Sequence, residues 1–121
     1  MGHIYATIRI SNIERIKAIE VEALADTGAT LTVIPQRIAR ELGLGEFTRE
    51  MVETGAGEIE LQRSSARISI DGKESVQDVL VSDSIDRVLL GVVTLESLAL
   101  SLDPLTGKLK EKRLLLYQAQ S

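Results

Sequence analysis

The sequence predicts an all-β domain that carries one or two short helices. Apolar and polar residues alternate over several short segments, turn residues separate these segments, and only two stretches have the spacing of a helix. A chain of 121 residues suits one domain, and 44% hydrophobic with 26% charged residues is a globular balance. We therefore expect residues 1–121 to form a single domain.

The first third of the chain contains three apolar segments and the first helix. Apolar residues alternate with polar ones over 4–10 and again over 19–25, which predicts two strands. Residues 31–34 resume the apolar run after a short interruption. The spacing of apolar residues in Gln36–Leu42 predicts a short helix, and Gly43 is suited to cap its C-terminus.

The middle of the chain predicts two hairpins. Strand-forming residues flank Thr54-Gly55-Ala56-Gly57, and we expect a hairpin over about 50–62 with a mobile, glycine-rich turn. Alternation over 66–70, the Asp71-Gly72 pair and a further strand over 76–81 predict the second hairpin.

The last third repeats the order of an apolar strand, a glycine and a short helix. Val88–Leu90 predicts the strand, which ends at Gly91, and a helix is expected over 94–98 with Thr94 as its N-cap. A final strand is expected over 108–117. The three leucines at 114–116 make it apolar on both faces, so this strand needs a cover.

The composition excludes several kinds of chemistry. Cysteine is absent, which excludes disulfides, thiolate metal sites and a Cys nucleophile. The single histidine, His3, lies near the N-terminus, which disfavours a Ser-His-Asp triad. We expect neither a metal nor a cofactor, and carboxylates remain as the groups for hydrolytic chemistry.

Charge and aromatic content disfavour several partners. A net charge of −4 argues against binding to phosphate backbones and anionic membranes, and the few aromatic residues argue against a stacking platform for bases. No segment approaches the ~20 apolar residues of a membrane span, and the first residues lack the apolar run of a secretory signal. We expect a cytoplasmic protein without a nucleic-acid or membrane partner.

Asp26 is the candidate catalytic residue. It stands between two apolar segments, 23–25 and 31–34, which predicts a carboxylate at the tip of a buried loop. Burying a carboxylate is costly unless hydrogen-bond donors stabilise it or it shares a proton. The following Thr27-Gly28-Ala29 segment supplies a hydroxyl and backbone N–H groups close to it. A carboxyl group held in this way suits general acid–base catalysis.

A single carboxylate of this kind is half of a hydrolytic site. Hydrolysis of an amide needs one group that takes a proton and one that gives a proton, and two carboxyls sharing one proton supply both. A twofold dimer would bring Asp26 of each copy together, because a twofold interface pairs a residue with its own copy. We therefore expect a homodimer.

At these residues the sequence resembles a known family. Ala25-Asp26-Thr27-Gly28-Ala29 followed by Thr32-Val33-Ile34-Pro35 is similar to the active-site loop of retropepsin-like aspartic proteases. Leu89-Leu90-Gly91 before a short helix resembles that family's second signature, and Thr54-Gly55-Ala56-Gly57 lies where the family has its flap hairpin. The resemblance covers about residues 4–117 and is greatest to cellular, single-domain members outside retroviruses. It implies a retropepsin-like barrel, closed and forming one half of a twofold acid-protease homodimer.

The resemblance also implies roles for the residues of the loop. Asp26 from each subunit would activate a water against a peptide bond, and Thr27 would bond across to the other loop. Gly28 and Ala29 would line the cleft and bond the backbone of the substrate, which is a peptide or an unfolded protein. The implied activity is that of an aspartic endopeptidase.

Two further segments receive roles from the resemblance. Gly55, Ala56 and Gly57 would form the tip of a flap that closes over the substrate. Leu89, Leu90 and Gly91 would support the loop.

The sequence departs from retroviral members of the family at two positions. Thr30 and Val92 stand where those members often carry an Asp and an Arg that tie the subunits together. Arg87 and the leucines at 114–116 are the alternative sources of dimer contacts.

Two other functions remain open from the residues alone. The chain could be a noncatalytic dimerisation or peptide-binding module that keeps the fold, or a fragment whose activity needs another domain. The intact Asp26-Thr27-Gly28 segment favours the enzyme, because a module has little reason to keep a costly carboxyl.

Overall fold

The computed structural model describes residues 3–45 and 47–112. This part of the chain forms nine strands and two helices. In chain order they are β1 (Ile4–Ser11), β2 (Ala18–Ala25), β3 (Thr32–Pro35), α1 (Gln36–Leu42), β4 (Thr48–Thr54), β5 (Gly57–Ile70), β6 (Lys73–Ser82), β7 (Val88–Leu90), α2 (Val92–Ser97), β8 (Leu100–Asp103) and β9 (Lys108–Glu111).

Six of these strands close into a barrel. Neighbours in the sheet follow the order β1-β2-β7-β3-β6-β5-β4, and β1 also pairs with β5, so β4 is left outside the closed ring. At the closure Ile10 lies opposite Ile68. Strands β8 and β9 form a separate two-stranded sheet. The all-β barrel with short helices that the sequence predicts is confirmed.

Alternation along the strands builds an aliphatic core inside the barrel. In β1 the side chains of Ile8 and Ile10 are buried while Thr7 and Arg9 are exposed, as a strand with one buried face requires. The largest fully buried apolar side chains come from five strands and α1. They are Ile8, Ile10, Ile34, Ile38, Leu42, Ile68, Val79, Val88 and Leu90.

The insertion of β7 between β2 and β3 places the candidate site. Leu89 of β7 pairs in parallel with Leu24 of β2 and antiparallel with Val33 of β3. Because β2 and β3 are not direct neighbours, the chain between them, residues 26–31, must pass over the end of β7. We call these residues the Asp26 loop.

Several local predictions are confirmed by the structure. Helix α1 spans Gln36–Leu42, and Gly43 caps it in the left-handed conformation with φ 67°. The hairpin β4–β5 turns at 54–57, and the hairpin β5–β6 turns at Asp71-Gly72. Each of these depends on turn or cap chemistry that neighbouring residues decide.

The prediction for the second helix is wrong at its start. Helix α2 begins at Val92 with Gly91 in the N-cap position, two residues before Thr94. Thr94 is fully buried inside the helix and its hydroxyl contacts the hydroxyl of Thr32, so it does not cap the helix. The final strand is seen as β9 over Lys108–Glu111, and the predicted continuation at 113–117 lies outside the described residues. None of the helices in the described ranges has the length and apolar character needed to cross a membrane.

Candidate active site

Asp26 follows the last residue of β2 and is held by hydrogen bonds on both sides of its peptide unit. Its N–H donates to the carbonyl of Leu90 at 3.0 Å, and its own carbonyl accepts from the N–H of Ala29 at 3.1 Å. Its carboxylate Oδ1 accepts from the N–H of Gly28 at 2.8 Å. The turn therefore fixes both the backbone and the carboxylate of Asp26.

The Asp26 loop is less buried than the sequence predicts. Asp26 is half-buried, while Thr27 and Gly28 are exposed. The apolar residues on either side, such as Ala25 and Ile34, belong to strands that point into the core, whereas the loop projects beyond the end of β7. The expectation of a buried loop is wrong for the single chain, because the buried residues lie in the flanking strands and not in the loop.

The first turn of α2 holds the Asp26 loop through two backbone hydrogen bonds. The N–H of Val92 donates to the carbonyl of Ala29 at 2.9 Å, and the N–H of Val93 donates to the carbonyl of Thr30 at 3.0 Å. The first N–H groups of a helix have no partner within the helix, so they are free to make such contacts. Because these are backbone donors, the residue types at 92 and 93 gave no sign of this role.

Gly91 is required by the close approach of two backbone segments. A Cβ atom added to Gly91 would lie 2.4 Å from the carbonyl carbon of Leu31 and 2.8 Å from the carbonyl oxygen of Thr30. Backbone atoms cannot move aside as the end of a flexible side chain can, so only glycine fits here. The structure thus brings the predicted support residues Leu90 and Gly91 into direct contact with the Asp26 loop.

A groove of about 340 Å³ runs between the Asp26 loop and strand β4. Apolar side chains from the loop and from three strands line it, among them Leu31, Val33 and Leu80. On the sheet, Leu89, Val33 and Leu80 are successive cross-strand neighbours, so they form one row along this face. The loop residues Gly28 and Ala29 lie at one wall of the groove.

A charged bridge closes the other side of the groove. Arg63 donates to Glu50 and to Asp78, each at 2.6 Å, and so joins β4, β5 and β6. The hydrogen bond from Arg63 holds the pKa of the Asp78 carboxyl below its usual range. The two carboxylates in turn raise the pKa of Arg63. Sequence patterns did not single out this bridge, because its three residues lie on three different strands.

The predicted tip residues of the β4–β5 hairpin are exposed and do not line this groove. The hydroxyl of Thr54 accepts from the N–H of Ala56 at 3.1 Å and donates to the carbonyl of Gly57 at 2.7 Å. Gly57 has φ 114°, a conformation that favours glycine, and the added Cβ at Gly55 would meet open space. The tip is a closed turn that faces solvent.

Arg87 lies at the far end of the same sheet face. Its guanidinium donates to the hydroxyl of Tyr5 at 2.9 Å and stacks 5.8 Å from the centre of that ring. Both side chains are exposed, so this end of the face is accessible. Within residues 3–45 and 47–112, the carboxylates and His3 form no cluster of three or more groups that could hold a metal ion.

The fold and the site together define a domain of the aspartic protease class. It has a closed six-stranded barrel, an Asp-Thr-Gly loop held by a short helix, and a hairpin with a glycine-containing turn. A family model described as "gag-polyprotein putative aspartyl protease" matches residues 14–97, which is more than half of the chain. The chain belongs to this family, and the retropepsin-like resemblance drawn from the sequence is confirmed.

Solved structures agree with this assignment at the level of fold. The chain superposes on the EIAV protease complexed with the inhibitor HBY-793 with a TM-score of 0.67 and 20% sequence identity, covering 95% of this chain and 94% of that one. No curated protein sequence gave a significant match.

Proposed function

We propose that the protein is an aspartic endopeptidase that works as a homodimer, with Asp26 of each subunit forming the catalytic pair. The observation that carries this proposal is the Asp26 carboxylate itself, which is fixed by the Gly28 N–H at 2.8 Å yet only half-buried. A general acid or base must be both positioned and accessible to its substrate. The family to which the chain belongs supports the same reaction.

The exposure of the loop supports the proposal that a second copy of the chain supplies the other half of the site. Thr27 and Gly28 next to Asp26 are exposed, so another chain could approach there without displacing the core. In a twofold dimer Asp26 meets its own copy at the axis. Thr27 of each chain would then lie beside the other loop, where its hydroxyl can hydrogen-bond across.

Two adjacent carboxyls would divide the work of hydrolysis. Two carboxyl groups so close together cannot easily both carry a negative charge, so one Asp26 is ionised and the other is protonated. The ionised carboxylate takes a proton from water, whose oxygen attacks the peptide carbonyl carbon, while the protonated carboxyl donates to the carbonyl oxygen. The resulting tetrahedral species breaks its C–N bond as the nitrogen is protonated, which releases an amine and a carboxylic acid.

The groove between the loop and β4 suits an extended peptide. Its apolar lining, which includes Leu31, Val33 and Leu80, would take an aliphatic side chain. Among the described residues β4 forms its ladder with β5 alone, so its other edge is open to hydrogen bonds from a peptide backbone. The tip at Gly55, Ala56 and Gly57 would then close over the peptide as a flap.

The direct test is Asp26→Asn, which keeps the shape of the side chain and removes its acid–base chemistry. With a peptide library at pH 3 to 8, we expect the wild-type protein to cleave and the variant to lose at least about 10³-fold in kcat/KM. Asp86→Asn, which changes an exposed carboxyl, is the matched control and should retain activity. A transition-state mimic with a hydroxyl in place of the scissile bond should inhibit the wild type.

A mixing experiment tests the pairing across the dimer. Excess Asp26→Asn chain is added to a fixed amount of wild-type chain under conditions where subunits exchange. If the site needs Asp26 from both copies, mixed dimers are inactive and the activity falls with the added variant. Activity that is independent of the variant would contradict the pairing, as would a wild-type protein that sediments as a monomer at high concentration. A dimer that binds peptides but cleaves none would instead indicate the noncatalytic module.

A further inference from the structure

A line of polar groups, most of them buried, runs from the base of the Asp26 loop to strand β6. The hydroxyl of Thr32 accepts from the N–H of Gly91 at 3.0 Å and contacts the hydroxyl of Thr94 at 2.7 Å. The hydroxyl of Thr94 donates to Oε1 of Gln77 at 3.5 Å, and Nε2 of Gln77 donates to Oγ of Ser75 at 3.0 Å. We call these five residues the polar chain.

The donors of the polar chain all point the same way. Oε1 of Gln77 can only accept, so Thr94 gives its one proton to Gln77. The hydroxyl of Thr32, which accepts from the Gly91 N–H, then donates to Thr94. Bonds aligned in this way polarise one another and act as a unit. The longest of them, from Thr94 to Gln77, is also the weakest by geometry.

The polar chain is costly unless it is complete. Thr32 and Thr94 have no exposed surface at all, and Gln77 is 6% exposed. A buried hydroxyl or amide without a partner loses its hydration and gains nothing in return. Valine would fill much the same space at 32 or 94 without that cost, so packing alone does not explain two threonines here.

The polar chain meets the Asp26 loop at Gly91, where contacts with the start of α2 fix the position of the loop. Gly91 is pressed against the backbone of Leu31, and the amides that follow it hold Ala29 and Thr30. These contacts are made by backbone groups. Thr32 adds a side chain to this clamp, and Thr94 decides where the Thr32 hydroxyl points. A change at Thr94 therefore reaches the backbone around Asp26 through Thr32 and Gly91, without touching a substrate.

We propose that Thr94 is a positioning residue for the Asp26 carboxylate, acting through Thr32 and Gly91, with Gln77 holding Thr94 in turn. This inference rests on the proposed function, since it concerns the efficiency of the same site. Misplacing a reacting group by about 1 Å can cost roughly 100-fold in rate, so a small shift of the loop has a measurable effect. Peptide binding depends on the groove and the hairpin instead.

The test compares Thr94→Val with Thr94→Ser. Valine keeps the shape and removes the hydroxyl, and we expect kcat per titrated active site to fall between about fivefold and 100-fold while KM changes by less than about twofold. Serine keeps the hydroxyl and should restore kcat. The control is Leu98→Ala, which removes a buried side chain at the end of α2 outside the polar chain. It should lower the Tm and leave kcat per active site unchanged.

Amide spectra give a second measurement that does not need activity. In ¹H–¹⁵N spectra, Thr94→Val should shift the Gly91 amide and speed its hydrogen exchange, with changes spreading to Gly28 and Ala29. If Thr94→Val does not fold, Gln77→Met is the substitute, and we expect the same changes at smaller size because its bond to Thr94 is the longest.

The outcomes separate this inference from the proposed function. A wild-type protein that cleaves nothing overturns the proposed function, and the amide shifts still decide the role of Thr94. A wild type that cleaves, together with a folded Thr94→Val of unchanged kcat, overturns the positioning role. So does an equal loss of kcat in Leu98→Ala, or a serine variant as slow as the valine one.

Discussion

The Asp26 loop and the β4–β5 hairpin face the same groove but are held in opposite ways. The loop receives backbone hydrogen bonds from Val92 and Val93, packs against Gly91 and is flanked by buried strands. The hairpin extends beyond the barrel, and every residue from 53 to 60 is exposed. Regions with few buried contacts open at low free energy, whereas clamped ones open only with the whole fold.

Charge adds to this difference. In the hairpin Glu53 lies directly opposite Glu58, and like charges in that position weaken a strand pair. The Arg63 bridge to Glu50 and Asp78 holds the hairpin only near its base. The comparison shows that one short chain combines a firmly held carboxylate loop with a loosely held hairpin on the same groove.

The same substitution in the two regions should give very different results. Gly91→Ala places a Cβ 2.4 Å from the backbone of Leu31, and we expect the free energy of unfolding to fall by at least about 2 kcal/mol. Gly55→Ala meets open space in the hairpin and should change it by less than about 0.5 kcal/mol. Denaturant unfolding at one fixed chain concentration measures both. Equal stabilities of the two variants would show that the backbone around Gly91 can shift to accommodate a Cβ atom.

A second substitution in the hairpin sharpens the comparison. Gly57 has φ 114°, and alanine there should cost about 1–2 kcal/mol of local backbone strain. Because the hairpin is peripheral, we expect faster hydrogen exchange over β4 and a severalfold higher KM, with little change in Tm. Gly55→Ala is the control without a positive φ. A large fall in Tm for Gly57→Ala would mean that the hairpin unfolds together with the barrel.

The smallest effect is expected at the Arg63 bridge. The pKa of Asp78 is lowered in the folded protein, so its stabilising contribution is present above the ordinary Asp pKa of about 4 and is lost as the pH falls through the folded value. The pair is half-exposed and screened, so Arg63→Gln should lower the Tm by less than about 5 °C near pH 7.

Thermal unfolding of wild type and Arg63→Gln between pH 7 and pH 2 tests the origin of that difference. The gap in Tm should shrink below about pH 4, as Asp78 becomes protonated in both proteins. A gap that stays constant over this range would show that Arg63 acts through packing of its side-chain stem and not through its charge. Asp78→Asn should then leave the Tm unchanged.

Much of the fold followed from patterns between neighbouring residues. Helix α1 and its cap at Gly43, and the turns at 54–57 and Asp71-Gly72, were predicted at their observed positions because turn chemistry and periodicity are local. The start of α2 was missed because Thr94 has the residue type of an N-cap, yet a distant partner, Thr32, claims its hydroxyl. The predicted cytoplasmic location and single domain stay predictions.

In the candidate site, too, some features follow from neighbouring residues and others depend on residues that are distant in the chain. The sequence by itself determined that Asp26 is the carboxylate of interest, that Gly28 follows it closely and that the core of the domain is aliphatic. Only the tertiary structure decided that Gly91 lies against Leu31, that Arg63 joins three strands and that Thr32 meets Thr94 across 62 residues of chain. The reason is the insertion of β7 between β2 and β3, since strand order is set by packing of the whole chain and leaves no mark on local periodicity.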